Sequence, residues 1–116
     1  VMSGVASLAR SPMGVITGDP ELNAVVTEAV AEVVAVGRAK GIDLAEDAEI
    51  RTVKRARSAP PETRPSMLVD LERGKPLELP WLSGMVAKMG AEAGVPTPVH
   101  RMIAAALKPF EGGNAG

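Results

Sequence analysis

The sequence has no cysteine and no tyrosine, and only one tryptophan, one phenylalanine and one histidine. Without cysteine there is neither a disulfide framework nor a thiolate metal site, and the composition fits a reducing, cytoplasmic setting. The lone His100 cannot by itself anchor a typical transition-metal centre, so no metal site is expected. With aromatics at 2%, the core has to be built from Val, Leu, Ile, Ala and the six Met. No run approaches the roughly 18–20 apolar residues that a membrane span needs. The apolar start also lacks the basic leader of a signal peptide. Charge of one sign is not in excess: the net charge is −1 and the pI about 5.8, which gives no global attraction to nucleic acid or anionic lipid. No GxGxxG or P-loop follows a strand-like run, so the chain contains no phosphate cradle of its own.

What is present suits one domain with one modest core: 116 residues, 46% hydrophobic and 23% charged. The residues read as all-α, in about six helical segments, with no convincing strand or repeat. Val1–Ala9 is apolar and uncapped, as expected for the tail of a helix cut within or just after its length. Arg10-Ser11-Pro12 stops it, and Ser11 is the expected cap of a one-turn helix from Pro12. Asp19-Pro20 is the clearest start signal, with an N-cap followed by proline at the first helical position. It predicts a helix to about Lys40, stopped by Gly41. Leu22, Val25, Val26, Ala29, Val30, Val33 and Val34 form its apolar stripe, with Glu21, Glu28 and Glu32 mostly off it.

Asp43 is the expected cap of an exposed outer helix from about Leu44 to Ser58. Ser66 is the expected cap of a helix to about Arg73. A turn follows at Gly74-Lys75-Pro76, then an extended Leu77–Pro80. A helix from Trp81 to about Ala93 carries small residues (Ser83, Gly84, Ala87, Gly90, Ala91) that would let another helix approach. Thr97 then caps a last helix opening with Pro98 and running to about Leu107. Pro109–Gly116 reads as a tail.

Few residues stand out chemically. The basic run Arg51–Arg57 is read as a solvated helix face. His100, near a helix start, is read as structural or surface. The methionines at helical spacing are read as core filling. Ser66 and Glu78 both lie in Pro60–Gly90, the most punctuated stretch of the chain. Ser66 is a plausible N-cap. Glu78 sits between Leu77 and Leu79, flanked by Pro76 and Pro80. A carboxylate held there is a candidate to contact the hydroxyls of a ligand, with a simple surface glutamate as the alternative.

The run SMLVDLERGKPLELPWLSGMVAKMG, followed by GVPTPVHRMIAAALKP, resembles the C-terminal helical domain of the ketopantoate reductase (2-dehydropantoate 2-reductase) family. Its marks are Ser66-Met67-Leu68, Asp70-Leu71, Gly74, Glu78-Leu79, Gly84, Gly94 and Pro98. The opening VASLARSPMGVITGDPEL is similar too, so the likeness covers Val1 to Phe110. It implies one domain over residues 1–110, a flexible tail over 111–116, and a helical bundle of the 6-phosphogluconate dehydrogenase C-terminal-like type. It implies a cytoplasmic NADP-dependent oxidoreductase of pantothenate biosynthesis, in which an N-terminal Rossmann domain binds NADPH and a hydride reduces a 2-keto acid.

The proton-donating lysine would lie upstream of Val1, so no catalytic residue is expected here and the chain alone should be inactive. By the same resemblance Ser66 would hydrogen-bond the substrate and Glu78 the bound NADP. Gly4 and Met13 occupy positions where the family often has asparagine, which implies a pocket with fewer amides, suited to a more apolar keto acid. The helices Pro20–Lys40 and Trp81–Ala93 would form the body of the domain and are candidates for a homodimer contact. The competing readings are a free-standing helical dimerisation or interaction module without catalysis and, more weakly, a helix-turn-helix nucleic-acid binder using Arg51–Arg57.

Overall fold

The longest helix, α3 (Pro20–Ala39), is the centre of the fold in a computed structural model that describes residues 1–79 and 82–113. Before it come α1 (Met2–Ala9) and α2 (Met13–Gly18). After it come α4 (Ala48–Arg57), α5 (Ser66–Glu72), α6 (Ser83–Ala93) and α7 (Pro98–Leu107), then a 3-10 turn at Lys108–Phe110. The protein is all-α, with seven α-helices and no strand among the described residues. Helices α1, α2, α4, α6 and α7 all pack on α3, while α5 packs on α1 and α6 pairs with α7.

The start of α3 follows its sequence signal. The Leu22 N–H donates to Asp19 Oδ2 at 2.8 Å, and Pro20 fills the first helical position. The inward face is Val26, Ala29, Val30, Val34 and Val36. Valine is a modest helix former, so burial of this face is what holds α3. It meets Val5, Ala6, Ile16, Leu68, Ile103 and Leu107 in an aliphatic core that, among the described residues, contains no aromatic side chain. Each fully buried aliphatic side chain contributes about 1.5–3 kcal/mol.

Several boundaries differ from the sequence expectation. α2 starts at Met13, and Ser11 Oγ donates to Ala9 O at 2.9 Å instead of capping it. α4 starts at Ala48 behind Asp47, not at Leu44 behind Asp43. Local hydrogen bonds hold the intervening segment against the end of α3: the Ile42 N–H donates to Gly37 O at 2.9 Å and Arg38 Nη2 to Ala45 O at 2.8 Å. Ser66 is the first residue of α5, and its hydroxyl makes no capping bond because Pro65 occupies the N-cap position. Thr97 stands at the N-cap of α7 without a side-chain cap.

The small residues of α6 admit close neighbours: α7 packs along it, and the chain's own connections approach Gly84 and Gly90. A Cβ on Gly84 would lie 2.9 Å from Leu79 O, and one on Gly90 would lie 2.8 Å from Val95 O. The expected helix start at Trp81, the end of the extended stretch at Pro80 and the last residues of the tail, 114–116, lie outside the described residues. The segment after α7 returns to the body, where the Leu77 N–H donates to Glu111 O at 2.9 Å. Among the described residues no helix is long and apolar enough to cross a membrane.

Candidate functional site

Ser66 is the first residue of α5, and Glu78 lies in the connection that follows the helix. The approach to Ser66 is fastened to α2: the Met13 N–H donates to Thr63 O and the Gly14 N–H to Pro61 O, both at 2.8 Å. Gly14 is needed here, because a Cβ would sit 2.6 Å from Pro61 Cβ. Arg64 then reaches along α5 with a two-pronged bond to Glu72, Nε to Oε1 at 3.0 Å and Nη2 to Oε2 at 2.7 Å. This hydrogen bond draws the Glu72 carboxyl below its usual range and raises Arg64. The first turn of α5 is thereby held with the Ser66 hydroxyl exposed and free of capping duty.

Glu78 lies past the left-handed turn at Gly74, where φ is +69°. Its neighbours Leu77 and Leu79 are buried, at 6% and 3% exposure, while Glu78 itself is exposed. The backbone is held at Leu77 by Glu111, and Gly84 packs closely on Leu79 O. Two buried leucines therefore fix the carboxylate outward, where it can accept hydrogen bonds from hydroxyls or amides. Both side chains are exposed, Ser66 at the head of α5 and Glu78 beyond the Gly74 turn that follows the helix.

Gly4 lies on α1 and Met13 opens α2. Both are buried, and the open side of Gly4 faces the interior. A Cβ there would come within 2.9 Å of Ile103 Cγ2 and 3.2 Å of Ser83 Oγ. In this chain Gly4 is where α1 touches α7, so a larger side chain there would require Ile103 to shift.

The most constrained polar group is one the sequence reading placed off the apolar stripe. Glu32 is 8% exposed, and its two oxygens accept the Val99 N–H at 2.8 Å and the His100 N–H at 3.0 Å. It caps α7 from α3, which explains the idle Thr97. His100, 1% exposed, lies inside and not at the surface. Its Nε2 is 2.8 Å from Ala29 O, and a carbonyl only accepts, so Nε2 carries the proton. Nδ1 is then free to accept from Ser83 Oγ at 3.2 Å. Burial lowers the His100 pKa from its ordinary 6.5, against the opposing pull of Ala29 O and Glu32.

The available sequence signal was a single acid, Glu32, among Val30, Val33 and Val34, matched to a last helix with no acid in its first turn. His100 and Ser83 reach one side of a concavity of about 480 Å³ walled by Val1, Met2, Val33, Met85 and Val86, which neither Ser66 nor Glu78 lines. Among the described residues no group of three or more His, Cys, Asp or Glu could hold a metal.

The helical arrangement is that of the 6-phosphogluconate dehydrogenase C-terminal-like all-α domains. Within that class the chain belongs to the family described as ketopantoate reductase PanE/ApbA C terminal, which matches residues 1–111. It is 35% identical over 103 residues to a 2-dehydropantoate 2-reductase of Caulobacter vibrioides, covering 89% of this chain and 35% of that protein. Among solved structures it is similar to a PanE/ApbA family ketopantoate reductase from Ralstonia eutropha JMP134, with a TM-score of 0.83 and 28% identity over 93% of this chain and 36% of that one. A dimeric ketopantoate reductase from Staphylococcus aureus shares the fold at a TM-score of 0.88 and 20% identity, over 95% of this chain and 38% of that one. The chain thus spans little more than a third of the length of the relatives it matches.

Proposed function

We propose that this chain is the substrate-side domain of an NADP-dependent oxidoreductase that reduces a 2-keto acid of the 2-dehydropantoate type to the 2-hydroxy acid. The observation that carries the reading is the pair of exposed polar groups, Ser66 at the head of α5 and Glu78 beyond the turn that follows it, in a chain that belongs to the ketopantoate reductase family. The exposed Ser66 hydroxyl binds the substrate at its carboxylate or a hydroxyl. The outward Glu78 accepts hydrogen bonds from the cofactor.

The cofactor supplies the hydride. This chain's part is to hold the two reactants from one side and at a fixed spacing. The residues fit that partial role: a carboxylate pinned by buried leucines suits a hydroxyl-bearing ligand, while the phosphates need a cradle that the described residues do not provide. The proton for the developing alkoxide belongs to a lysine preceding this domain.

A chimera joining the first two thirds of the Caulobacter relative to this chain tests the reading. It is expected to oxidise NADPH in the presence of 2-dehydropantoate, while this chain alone does not. A folded chimera that binds NADPH but turns over no 2-keto acid would count for a helical module without catalysis.

A further inference from the structure

Helices α4 and α6 both pack on α3, and residues of all three line the concavity of about 480 Å³ that Ser83 and His100 reach from inside. Its volume falls in the roughly 300–1,000 Å³ range of small-ligand sites. Its walls are largely aliphatic: Val30 and Val33 come from α3, and Leu82, Met85 and Val86 from the head of α6. Val33 and Leu82 are each 38% exposed, so this apolar surface stands open to solvent. Neither Ser66 nor Glu78 lines it.

The hydroxyl and ring N–H donors of the lining are already engaged. The Thr52 hydroxyl donates to Ala48 O at 2.7 Å. The Ser83 hydroxyl donates to His100 Nδ1, and His100 Nε2–H donates to Ala29 O. Arg55 on α4 is different. It is exposed, and its guanidinium has no ion pair or hydrogen bond among the described residues. A slot with aliphatic walls, engaged donors inside and one unpaired guanidinium at its edge matches a ligand with a hydrocarbon body and a single anionic head.

We propose that this concavity binds an alkyl monocarboxylate of roughly eight to twelve carbons, with its carboxylate on Arg55 and its hydrocarbon along Val33, Leu82, Met85 and Val86. A planar carboxylate takes two parallel N–H bonds from a guanidinium, and one guanidinium balances one negative charge. Each CH₂ withdrawn from water strengthens binding up to roughly fourfold, so affinity rises with chain length until the slot is full. The proposal does not depend on the oxidoreductase reading.

Calorimetric titration of the 116-residue protein with sodium decanoate at neutral pH reads the binding. A Kd on the order of 100 µM is expected for a ligand of this size in an open site. Hexanoate should bind at least roughly tenfold more weakly. R55E is expected to weaken decanoate at least roughly tenfold and to leave 1-octanol unchanged, because only the acid uses the guanidinium. Val33→Trp, at a part-exposed position, fills the slot and should abolish binding of both, with circular dichroism unchanged. With ¹³C-methyl methionine, the Met2 and Met85 signals should shift on adding decanoate. Met67 in the core and the exposed Met102 on α7 should not.

Absence of decanoate binding up to about 5 mM overturns the proposal. So does binding that R55E leaves unchanged, which would make the slot a purely apolar contact surface. A Met102 shift equal to that of Met85 would also overturn it, since the acid would then be adsorbing over the whole surface.

Discussion

A carboxylate with 8% exposure that accepts two backbone N–H groups from another helix does more than solvate a surface. Glu32→Ala would leave both donors at the head of α7 without an acceptor, inside the protein. A loss of about 2–3 kcal/mol is expected in urea denaturation, with Glu32→Gln, which keeps one acceptor, losing less. His100 sets a pH dependence. Its pKa is lowered in the folded state, so below its ordinary value of 6.5 the unfolded chain binds a proton that the folded one resists. Stability is then fully present above pH 6.5 and falls as pH drops from there toward the folded value. The urea midpoint should be level between pH 7 and 8 and decline below 6.5, and His100→Gln should flatten part of that decline while lowering the plateau. Neither role was legible beforehand. Helical periodicity placed Glu32 at the edge of a stripe and His100 near a helix start, and it carries no information on what lies across the core.

At the level of elements, the strong local signals gave the right answers. Asp19-Pro20 opens α3, Gly41 follows its end and Gly94 closes α6, with φ of +86° at Gly41 and +73° at Gly94. The caps assigned to Ser11, Asp43, Ser66 and Thr97 did not form. In each case another group took over or the helix began elsewhere: Pro65 before α5, Asp47 before α4, Glu32 over α7. A side-chain cap contributes only about 1 kcal/mol, which a few tertiary contacts outweigh. Gly90 shows the same dominance of packing. The turn from α6 to α7 folds back onto it, with Val95 N–H bonded to Gly90 O at 2.8 Å. Gly90→Ala would gain helix propensity in isolation, yet its Cβ would lie 2.6 Å from Thr97 Cγ2 and 2.8 Å from Val95 O. A net destabilisation of about 1–3 kcal/mol is expected from such overpacking, and a thermal midpoint at or above the wild type's would contradict the close approach.

For the whole molecule, the separate roles proposed for Ser66 and Glu78 make a kinetic prediction. In the active chimera, Ser66→Ala is expected to raise KM for the keto acid roughly tenfold, the loss of one hydrogen bond to a charged group, and to leave KM for NADPH unchanged. Glu78→Ala is expected to show the reverse pattern. Equal effects of both variants on both constants would mean that the two residues act through the stability of α5. The Arg64–Glu72 pair holding that helix is exposed, so its rupture by salt should change these constants little.

The sequence by itself determined the helical class, the order of the main helices, the apolar face of α3 and the family, because each rests on short-range periodicity, strong stop signals or a run of residues in register. It also singled out Ser66 and Glu78. Only the tertiary structure decided that Ser66 is free of capping, that Glu78 is turned outward by two buried leucines, that Gly4 faces Ile103, and that Glu32 and His100 are interior partners of α7. The physical reason is the same throughout. These properties depend on residues far apart in the chain, such as Gly4 and Ile103 or Ala29 and His100, meeting across the core, and a local pattern of polar and apolar residues does not encode which of its faces meets which.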